Sequence, residues 1–379
     1  MSHQGRSRRL IARIGRLAAA LAAAGGLFSQ AGVAAAAPHP RPTSIIFAGD
    51  ILLAGQAAEL IEEEGPAAPF AGVRAVLRGA GLAIGNVECP LAIGGAPVDK
   101  QYTFRAHPST AAALADAGFD IVTLANNHAM DYGPEALLET LGTLQRWGII
   151  PIGAGADADE ARRWVVVESG SPPVKIAVLA FSNMLPKSFY AGPETPGTNP
   201  ARPEAMAADI AAARKQADVV VVLIHWGTEL ESSPSEKQRR VAAVAAEAGA
   251  DLVVGHHPHV LQGLEIRGHT LIAYSLGNLL FSTRAPVRPA RLLRYTPPRG
   301  GSGAGRSGAR AEVIPCVIEG FQPRLATEAE GSEILADLAR LSRRLGAALP
   351  AGDGTIRVPP RPIPAEDAGE APSEGPPAG

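Results

Sequence analysis

The sequence contains few cysteines: only two, Cys89 and Cys316, occur among its 379 residues. So few thiols exclude a small disulfide-stapled scaffold and a thiolate-rich zinc module. Aromatic residues are also scarce, at 4%, so the core must be built from aliphatic side chains. Beyond the N-terminal segment, no run approaches the about 20 apolar residues that a membrane span needs. The 46% of hydrophobic residues nevertheless suffice for a sizeable core.

The first 37 residues have the composition of a secretory signal peptide. They carry five Arg and no acid, followed by the apolar stretch Leu17–Phe28 and by small residues that predict cleavage after Ala36 or Ala37. The adjacent Arg8 and Arg9 are compatible both with a twin-arginine export signal and with an ordinary Sec signal. We expect an exported protein that is periplasmic, extracellular or associated with the cell envelope. If the signal is not cleaved, this one segment would hold the protein at the membrane.

The remaining chain is acidic overall. Removing the five N-terminal Arg from the 35 Lys and Arg leaves 30 basic against 37 acidic side chains. A chain of this sign is a poor general nucleic-acid binder, so nucleic acid is not an expected partner. Seven Arg nonetheless fall between Arg284 and Arg310, and the Gly-rich residues 299–310 predict a flexible loop. This segment is either a solvated loop or a clamp for an anionic polymer, and in both cases we expect it to contribute little to the fold.

Short β-rich runs alternate with helical patterns from Thr43 onward. The predicted strands cover residues 44–48, 82–87, 120–124, 164–168, 174–181, 218–224, 250–254 and 270–274. The predicted helices cover residues 109–117, 134–147, 203–216 and 234–248, the last with Ser233 as its N-cap and Pro234 at its first position. This alternation predicts an α/β domain with a largely parallel core over residues 43–320. A C-terminal helix is expected within 325–346, and the Pro-rich residues 350–379 predict a disordered tail.

Strand after strand ends in a polar side chain that can bind a metal. These residues are Asp50, Asn86, Glu88, Asn126, Asn127, His128, His225, His256, His257 and His259. Ligands collect at the carboxyl ends of strands in an open α/β sheet, and a mixed set of N and O donors suits Zn, Mn or Fe. Taken singly, Asp50 could be a helix N-cap, Asn126-Asn127 a turn, and His225 a core histidine. Three His within four residues are harder to explain without a metal.

The same residues carry a resemblance to a known family. The segments are Gly49-Asp50-Ile-Leu-Leu, Asn86-Val-Glu88-Cys-Pro-Leu, Lys100-Gln-Tyr-Thr-Phe-Arg105, Asn126-Asn-His-Ala-Met-Asp-Tyr-Gly133, His225-Trp-Gly, Gly255-His-His-Pro-His-Val260 and Tyr274-Ser-Leu-Gly-Asn278. In this order they resemble the CapA family, which is named for capsule and poly-γ-glutamate synthesis and is similar in fold to calcineurin-like metallophosphoesterases. The resemblance implies a metallophosphoesterase-like α/β/β/α sandwich as the single main domain.

The resemblance also implies roles for individual residues. It implies metal ligation by Asp50, Glu88, Asn127, His225, His257 and His259, with Glu88 bridging two ions. His128 would protonate a leaving oxygen, and the side chains expected to bind substrate are Lys100, Arg105, Asn126 and Asn278. The Asp-x-His opening of those phosphoesterases is here Asp50-Ile51-Leu52, so one early His ligand is missing.

We therefore expect an exported, metal-dependent hydrolase or transferase with one or two divalent ions, of Mn, Fe or Zn. Its expected substrate is an anionic polymer or a phosphorylated envelope molecule of the poly-γ-glutamate type, and membrane capsule-synthesis components are expected partners. One alternative is a non-catalytic accessory protein that binds the polymer, and a remoter one is a structural envelope protein. Cys89, which lies within one of the quoted segments, is expected to be buried packing rather than a nucleophile.

Overall fold

The computed structural model describes residues 42–281, 287–298, 308–347 and 354–361. The predicted signal peptide, residues 299–307 of the predicted loop, and residues 362–379 lie outside these ranges. The strands are β1 (Ile45–Ile51), β2 (Leu82–Val87), β3 (Ile121–Thr123), β4 (Ile150–Ile152), β5 (Ala154–Gly155), β6 (Val165–Ser169), β7 (Val174–Ser182), β8 (Gly197–Thr198), β9 (Val219–His225), β10 (Leu252–His256), β11 (Leu264–Arg267), β12 (Thr270–Ala273), β13 (Asn278–Leu280), β14 (Val287–Thr296), β15 (Ala309–Glu319), β16 (Gln322–Leu325) and β17 (Thr355–Val358).

Eight α-helices are found in the described ranges. They are α1 (Gln56–Glu64), α2 (Arg74–Arg78), α3 (Ala111–Ala117), α4 (Gly133–Arg146), α5 (Ala158–Arg162), α6 (Pro203–Arg214), α7 (Glu236–Glu247) and α8 (Glu328–Arg343). The predicted strands and helices are present, with ends that differ by a few residues. Within the described residues, no helix combines the length and apolarity needed to cross a membrane.

Two large sheets form the centre of the protein. The first has the order β16-β15-β14-β1-β2-β3-β4, with β13 also paired to β1 and β17 to β15. The second has the order β11-β12-β10-β9-β7-β6. Strands β1 to β4 are parallel to one another, as are β7, β9, β10 and β12, whereas the strands at the other positions are mostly antiparallel. The expected parallel core is therefore present in both sheets.

The alternation of apolar side chains on β9 shows how the layers pack. Val219, Val221 and Leu223 lie in the core between the two sheets, together with Ile45 and Phe47 of β1. The alternate residues of β9 lie in a second core under α6 and α7, and a third core joins the other face of the first sheet to α1, α3 and α4. Because successive strand residues point to opposite faces, a strand that is apolar throughout must be covered on both sides. The result is the α/β/β/α sandwich that was expected.

The hairpin of β14 and β15 corrects the interpretation of the Arg-rich segment. Ten residue pairs join the two strands, and β14 pairs with β1, so the hairpin is part of the first sheet. Arg291 on β14 is fully buried and donates from Nη2 to the carbonyl oxygens of Gln262 and Ser275, at 2.7 and 2.5 Å. Burial lowers the pKa of Arg291 to about 9, and its Nε and Nη1 have no hydrogen-bond partner. The prediction that this segment does not serve the fold is wrong for its described residues.

The C-terminal tail also differs from the prediction. Strand β17 pairs with β15, and its Ile356 and Val358 are buried in the core between the sheets. Arg361 then donates to the carbonyl of Gly249 and to Asp251, at 2.7 and 3.1 Å. The composition of residues 350–379 predicted disorder, but these two apolar side chains are enough to pair a short strand with an open sheet edge.

The start of α7 lies later than predicted. Ser235 is the N-cap, and its side chain accepts from the N–H of Gln238 while the Gln238 side chain accepts from the N–H of Ser235. This capping box satisfies two backbone N–H donors at the N-terminus of the helix. Ser233 and Pro234 therefore precede the helix.

Candidate metal centre

The carboxyl ends of four central strands bring the predicted metal ligands to one place. Asp50 lies near the end of β1 and Glu88 follows β2, both in the first sheet. His225 and His256 are the last residues of β9 and β10, which are neighbours in the second sheet. The side chains thus approach one another from the two sheets, as the positions at the strand ends predicted.

Asp50 is the most highly connected residue of the cluster. It is fully buried, and its Oδ1 accepts from Asn86 Nδ2 at 2.9 Å and lies 3.1 Å from His256 Nδ1. Its Oδ2 accepts from the N–H of His257 at 3.2 Å and lies 3.2 Å from His259 Nδ1. A Cβ at Gly49 would lie 2.0 Å from the carbonyl oxygen of Gly277, so a glycine there lets β1 approach the segment before β13. This close approach fixes the backbone that carries Asp50.

Glu88 joins the two halves of the cluster. Its Oε1 lies 3.4 Å from His225 Nε2 and 3.7 Å from His259 Nε2, and neither contact is a hydrogen bond. His225 Nε2 in turn lies 2.7 Å from Asn127 Oδ1. Although Glu88 is fully buried, Oε1 has no hydrogen-bond partner. A buried carboxylate oxygen without a partner is costly, unless a cation takes that place.

The segment of His257 and His259 has an unusual backbone. Both residues have positive φ values, of 96° and 56°, which non-glycine residues rarely adopt and which occur mainly at functional sites. His257 is buried, and its Nδ1 also has no hydrogen-bond partner. The rings of His225 and His259 lie beside it, with centroids at 4.9 and 5.7 Å. The strained backbone at His257 and His259 therefore keeps their two rings beside the ring of His225.

Burial and neighbouring charges shift the pKa values of the carboxylates and imidazoles in the cluster. Burial raises the pKa of Glu88 to about 7, and the nearby Asp50 carboxylate adds to that rise. Burial lowers the pKa of His257 to about 2, with further lowering from His225 and His259. For His259, the carboxylates of Glu88 and Asp50 outweigh burial and raise the pKa to about 10. His257 is therefore neutral and has a ring nitrogen free to bind a metal ion. His259 is protonated, so a metal ion would have to displace its proton.

The side chains present fit a divalent ion. Glu88, His225 and His257 offer ligand atoms that all lie within 4.8 Å of one another, and so do Asp50, Glu88 and His259. The two groups share Glu88, so this carboxylate would contact both ions if two were bound. Glu88 Oε1 and His257 Nδ1 have no hydrogen-bond partner, and each has a lone pair that a bound ion would take up. Mixed imidazole and carboxylate donors suit Zn, Mn or Fe, in agreement with the sequence-based expectation.

His128 lies beside the cluster in a network of its own. Its Nδ1 is 2.6 Å from Oδ2 of the fully buried Asp131 and 3.0 Å from Nζ of Lys100. Lys100 Nζ also donates to Asp131 Oδ1 at 2.9 Å and to the carbonyl oxygen of Asn127 at 2.6 Å. Because Asp131 engages Nδ1, the other ring nitrogen, Nε2, is the one left for proton transfer. Asp131 was not among the predicted site residues, although its spacing of three residues from His128 was the available signal.

Two predicted substrate-binding residues hold the site together instead. Asn126 is fully buried, donating to Asn86 Oδ1 and the carbonyl of Val87 and accepting from the N–H of His128. Both Nδ2 hydrogens are therefore used within the protein, and contact of Asn126 with a substrate stays a prediction. Asn278 is also buried, and its Oδ1 lies 2.8 Å from His259 Nδ1, so that it orients a predicted ligand rather than a substrate.

The two predicted cationic anchors have different surroundings. Lys100 is directed onto His128 and Asp131, as described above. Arg105 donates to the carbonyls of Ile93 and Gly94, at 2.9 and 3.2 Å, and its guanidinium lies 4.2 Å from the ring centroid of Tyr132. Within the described residues, no hydrogen bond joins Arg105 to the cluster. Contact of either residue with a substrate stays a prediction.

Asn86 and His256 support the cluster; both were expected among the polar strand-end residues, but neither was assigned a role in the site. Asn86 Nδ2 lies within 3.4 Å of Asp50, Glu88 and His225, so one amide touches three predicted ligands. His256 is buried against Asp50. Cys89 is also buried, and burial raises the pKa of its thiol to about 12, which agrees with packing and not with a nucleophile.

Comparison with known proteins adds a family match. The family described as bacterial capsule synthesis protein PGA_cap matches residues 44–283. The PGA biosynthesis protein CapA of Bacillus subtilis is 35% identical over 285 residues, covering 74% of this chain and 73% of its own length. The capsule biosynthesis protein CapA of Bacillus anthracis is 30% identical, covering 74% and 69%. A probable polyglutamine synthesis accessory protein of Mycobacterium tuberculosis is 28% identical, covering 69% and 72%.

Solved structures with a similar chain path are more distant. The NAD nucleotidase of Haemophilus influenzae is 13% identical with a TM-score of 0.42, covering 78% of this chain. The sulfate thiohydrolase SoxB of Thermus thermophilus is 15% identical with a TM-score of 0.43, covering 82%. The match spans 62% of each of these two structures, less than two thirds of their length.

Proposed function

The chain belongs to the bacterial capsule synthesis protein family, and we propose that it is a metal-dependent hydrolase or transferase in the production of a capsule or poly-γ-glutamate polymer. The observation that carries this proposal is the pair of partnerless buried atoms, Glu88 Oε1 and His257 Nδ1, within one cluster of carboxylates and imidazoles. Purely structural histidines and glutamates would be paired by hydrogen bonds when buried.

The ligands of the proposed centre are Asp50, Glu88, Asn127, His225, His257 and His259. A divalent ion supplies Lewis acidity, which polarises a substrate oxygen and lowers the pKa of water. Asn86 and Asn278 hold Asp50 and His259 in place, and Asn126 fixes the backbone of His128. These contacts keep the donors from rearranging, which is what a metal centre needs from the protein around it.

His128 is the proposed general acid. Asp131 accepts a hydrogen bond from Nδ1 of His128 and so fixes the ring, and Nε2 is the nitrogen that gives a proton to a leaving oxygen. Lys100 balances the buried charge of Asp131. The surrounding residues thus give the His128 ring a defined orientation.

The proposed substrate is anionic and belongs to the cell envelope, either a polymer of the poly-γ-glutamate type or a phosphorylated molecule. Support comes from the family and from the names of its relatives, which refer to capsule, PGA and polyglutamine synthesis. The basic, acid-free N-terminal 37 residues support export, with action in the periplasm, outside the cell or at the envelope. Capsule-synthesis components of the membrane are the proposed partners.

A second candidate function is a non-catalytic accessory role, in which the same cleft binds the polymer. The name of the relative from Mycobacterium tuberculosis, an accessory protein, favours this alternative. Both proposals use the cluster, but only the enzyme depends on the proton of His128.

Turnover of a generic aryl phosphodiester in the presence of Mn²⁺ distinguishes the two. The enzyme proposal expects metal-dependent turnover that falls by about 10²- to 10⁴-fold in His128→Ala, with metal content nearly unchanged. Exposed His107 provides a matched control, since His107→Ala leaves the cluster intact. Absence of turnover by a metal-loaded chain, together with polymer binding that a chelator does not weaken, would instead support the accessory role.

A further inference from the structure

A loop after β9 brings one more carboxylate to the two histidines with positive φ. Glu229, His257 and His259 offer ligand atoms that all lie within 4.8 Å of one another. Glu229 is exposed to solvent, in contrast to the fully buried Asp50 and Glu88. The same two imidazoles therefore face buried carboxylates from the protein interior and an exposed carboxylate at the surface.

The loop that carries Glu229 is held against the histidine segment. The N–H of Leu230 donates to the carbonyl oxygen of Pro258 at 2.8 Å, directly between the two histidines in the chain. The N–H of Glu231 donates to the carbonyl oxygen of Thr228 at 3.3 Å, closing a turn with Glu229 and Leu230 at its centre. The carbonyl of Glu231 accepts from Gln262 Nε2 at 2.7 Å. Glu229 is thus placed by the backbone on both sides of it.

Two residues of this loop adopt conformations that need a reason. Leu230 has a φ of 63° although it is not glycine, and its side chain is 66% exposed, so packing does not explain the strain. Gly227 has a φ of 98°, and a Cβ there would lie 2.9 Å from the side-chain amide of Gln238. The close packing of Gly227 and the strained Leu230 together direct the turn toward His257 and His259.

The buried ligand set leaves room for a further donor. Asp50, Glu88 and His259 form a group of three, and Glu88 is shared with the group of His225 and His257. Zinc takes about four ligands and the other candidate metals take more, so a shared carboxylate leaves positions to fill. Glu229 has the preferred chemistry and lies beside ligands of both groups.

We propose that Glu229 is a metal-ligating residue, which completes the centre from the solvent side by binding an ion held by His257 or His259. This inference rests on the proposed metal centre and extends its ligand set to a loop outside the strand ends. It also gives the strained turn at Leu230 a purpose, because the turn holds the carboxylate near its imidazole partners before metal binds.

The test is metal binding by the full-length chain, measured by equilibrium dialysis against Mn²⁺ and Zn²⁺ with elemental analysis. Glu229→Gln keeps the shape of the side chain and removes its charge, and we expect its dissociation constant for at least one ion to rise by about 10-fold or more. Glu231→Gln is the matched control, because Glu231 lies in the same exposed turn and contributes a backbone carbonyl to the contacts described above. We expect binding by this control to stay within about 2-fold of wild type.

Thermal unfolding of the chelator-treated proteins provides a second readout. Because Glu229 is exposed, the melting temperature of metal-depleted Glu229→Gln should equal that of wild type, while the rise on adding Mn²⁺ should be smaller. Wild-type stoichiometry and dissociation constants in Glu229→Gln would overturn the inference and leave the proposed centre intact. A wild-type chain that binds neither ion would overturn both.

Discussion

Replacing Asp131 by Asn tests the proposed general acid through the residue that orients it. Asp131 Oδ2 lies 2.6 Å from His128 Nδ1 and accepts from the N–H of Phe104 at 2.8 Å, while Oδ1 accepts from Lys100 at 2.9 Å. An amide has only one oxygen, so its NH₂ group must face either the Lys100 ammonium or the two donors at Oδ2. In either orientation at least one charge-assisted hydrogen bond is lost.

The size of the effect follows from that loss. A hydrogen bond to a charged group contributes about 1.5–3 kcal/mol. If this is lost wholly in the transition state, turnover falls by about 10- to 150-fold, since each 1.36 kcal/mol is a factor of ten. Loss of His128 itself sets the limit, at about 10²- to 10⁴-fold. Asp131→Asn should therefore lie between wild type and His128→Ala.

The assay is kcat for an aryl phosphodiester at saturating Mn²⁺, with metal content measured on the same samples. Because Asp131 acts through His128, the double variant with His128→Ala should be no slower than His128→Ala alone. Metal content should be unchanged in all three variants. Wild-type turnover in a folded Asp131→Asn, or independent effects that multiply in the double variant, would refute the orienting role.

Two further predictions concern stability. After chelation, the free energy of unfolding should fall as pH rises from about 7 to 9. The pKa of His259 is raised from 6.5 to about 10, so the stability contributed by its bound proton is complete below 6.5 and is lost as pH rises toward 10. Below about 6.5 the lowered pKa values of His225 and His257 oppose the raised pKa of Glu88, so the test uses the range above 7. Urea titrations at several pH values measure this, and a flat or rising profile would contradict it. Truncation after residue 349 should destabilise the chain by up to about 3–6 kcal/mol, because it exposes the core that Ile356 and Val358 cover, whereas truncation after Arg361 serves as the control. Equal urea midpoints for the two truncations would show that β17 contributes nothing.

It was predictable that the residues of the proposed metal centre lie together, because strand position and residue type agree. Asp50, Glu88, His225 and His257 each follow an apolar run, and parallel strands place such positions at one edge of a sheet. Residue type alone could not separate ligands from their supports, since Asn126 and Asn127 are adjacent and identical. Only the structure shows that the Asn126 amide is used internally while Asn127 reaches His225.

The errors in the fold share a physical origin. Arg291 of β14 is buried because it donates to the carbonyl groups of Gln262 and Ser275, which lie 29 and 16 residues away in the sequence. No local sequence pattern reveals such distant partners. Strand β17 is short, and its two inward side chains gain stability only from the edge of β15. The proximity of Glu229 to His257 and His259 was missed for the same reason, because these residues lie far apart in the sequence and meet only in the folded chain.

Elemental analysis of the purified full-length chain tests the central claim most directly. The account predicts at least one divalent ion of Mn, Fe or Zn per wild-type chain, and a marked loss in Glu88→Gln and His257→Ala, whose partnerless atoms the ion would satisfy. The exposed Glu236→Gln should keep the wild-type content. A wild-type chain without stoichiometric metal after incubation with these ions, or equal metal content in all the variants, would contradict the account.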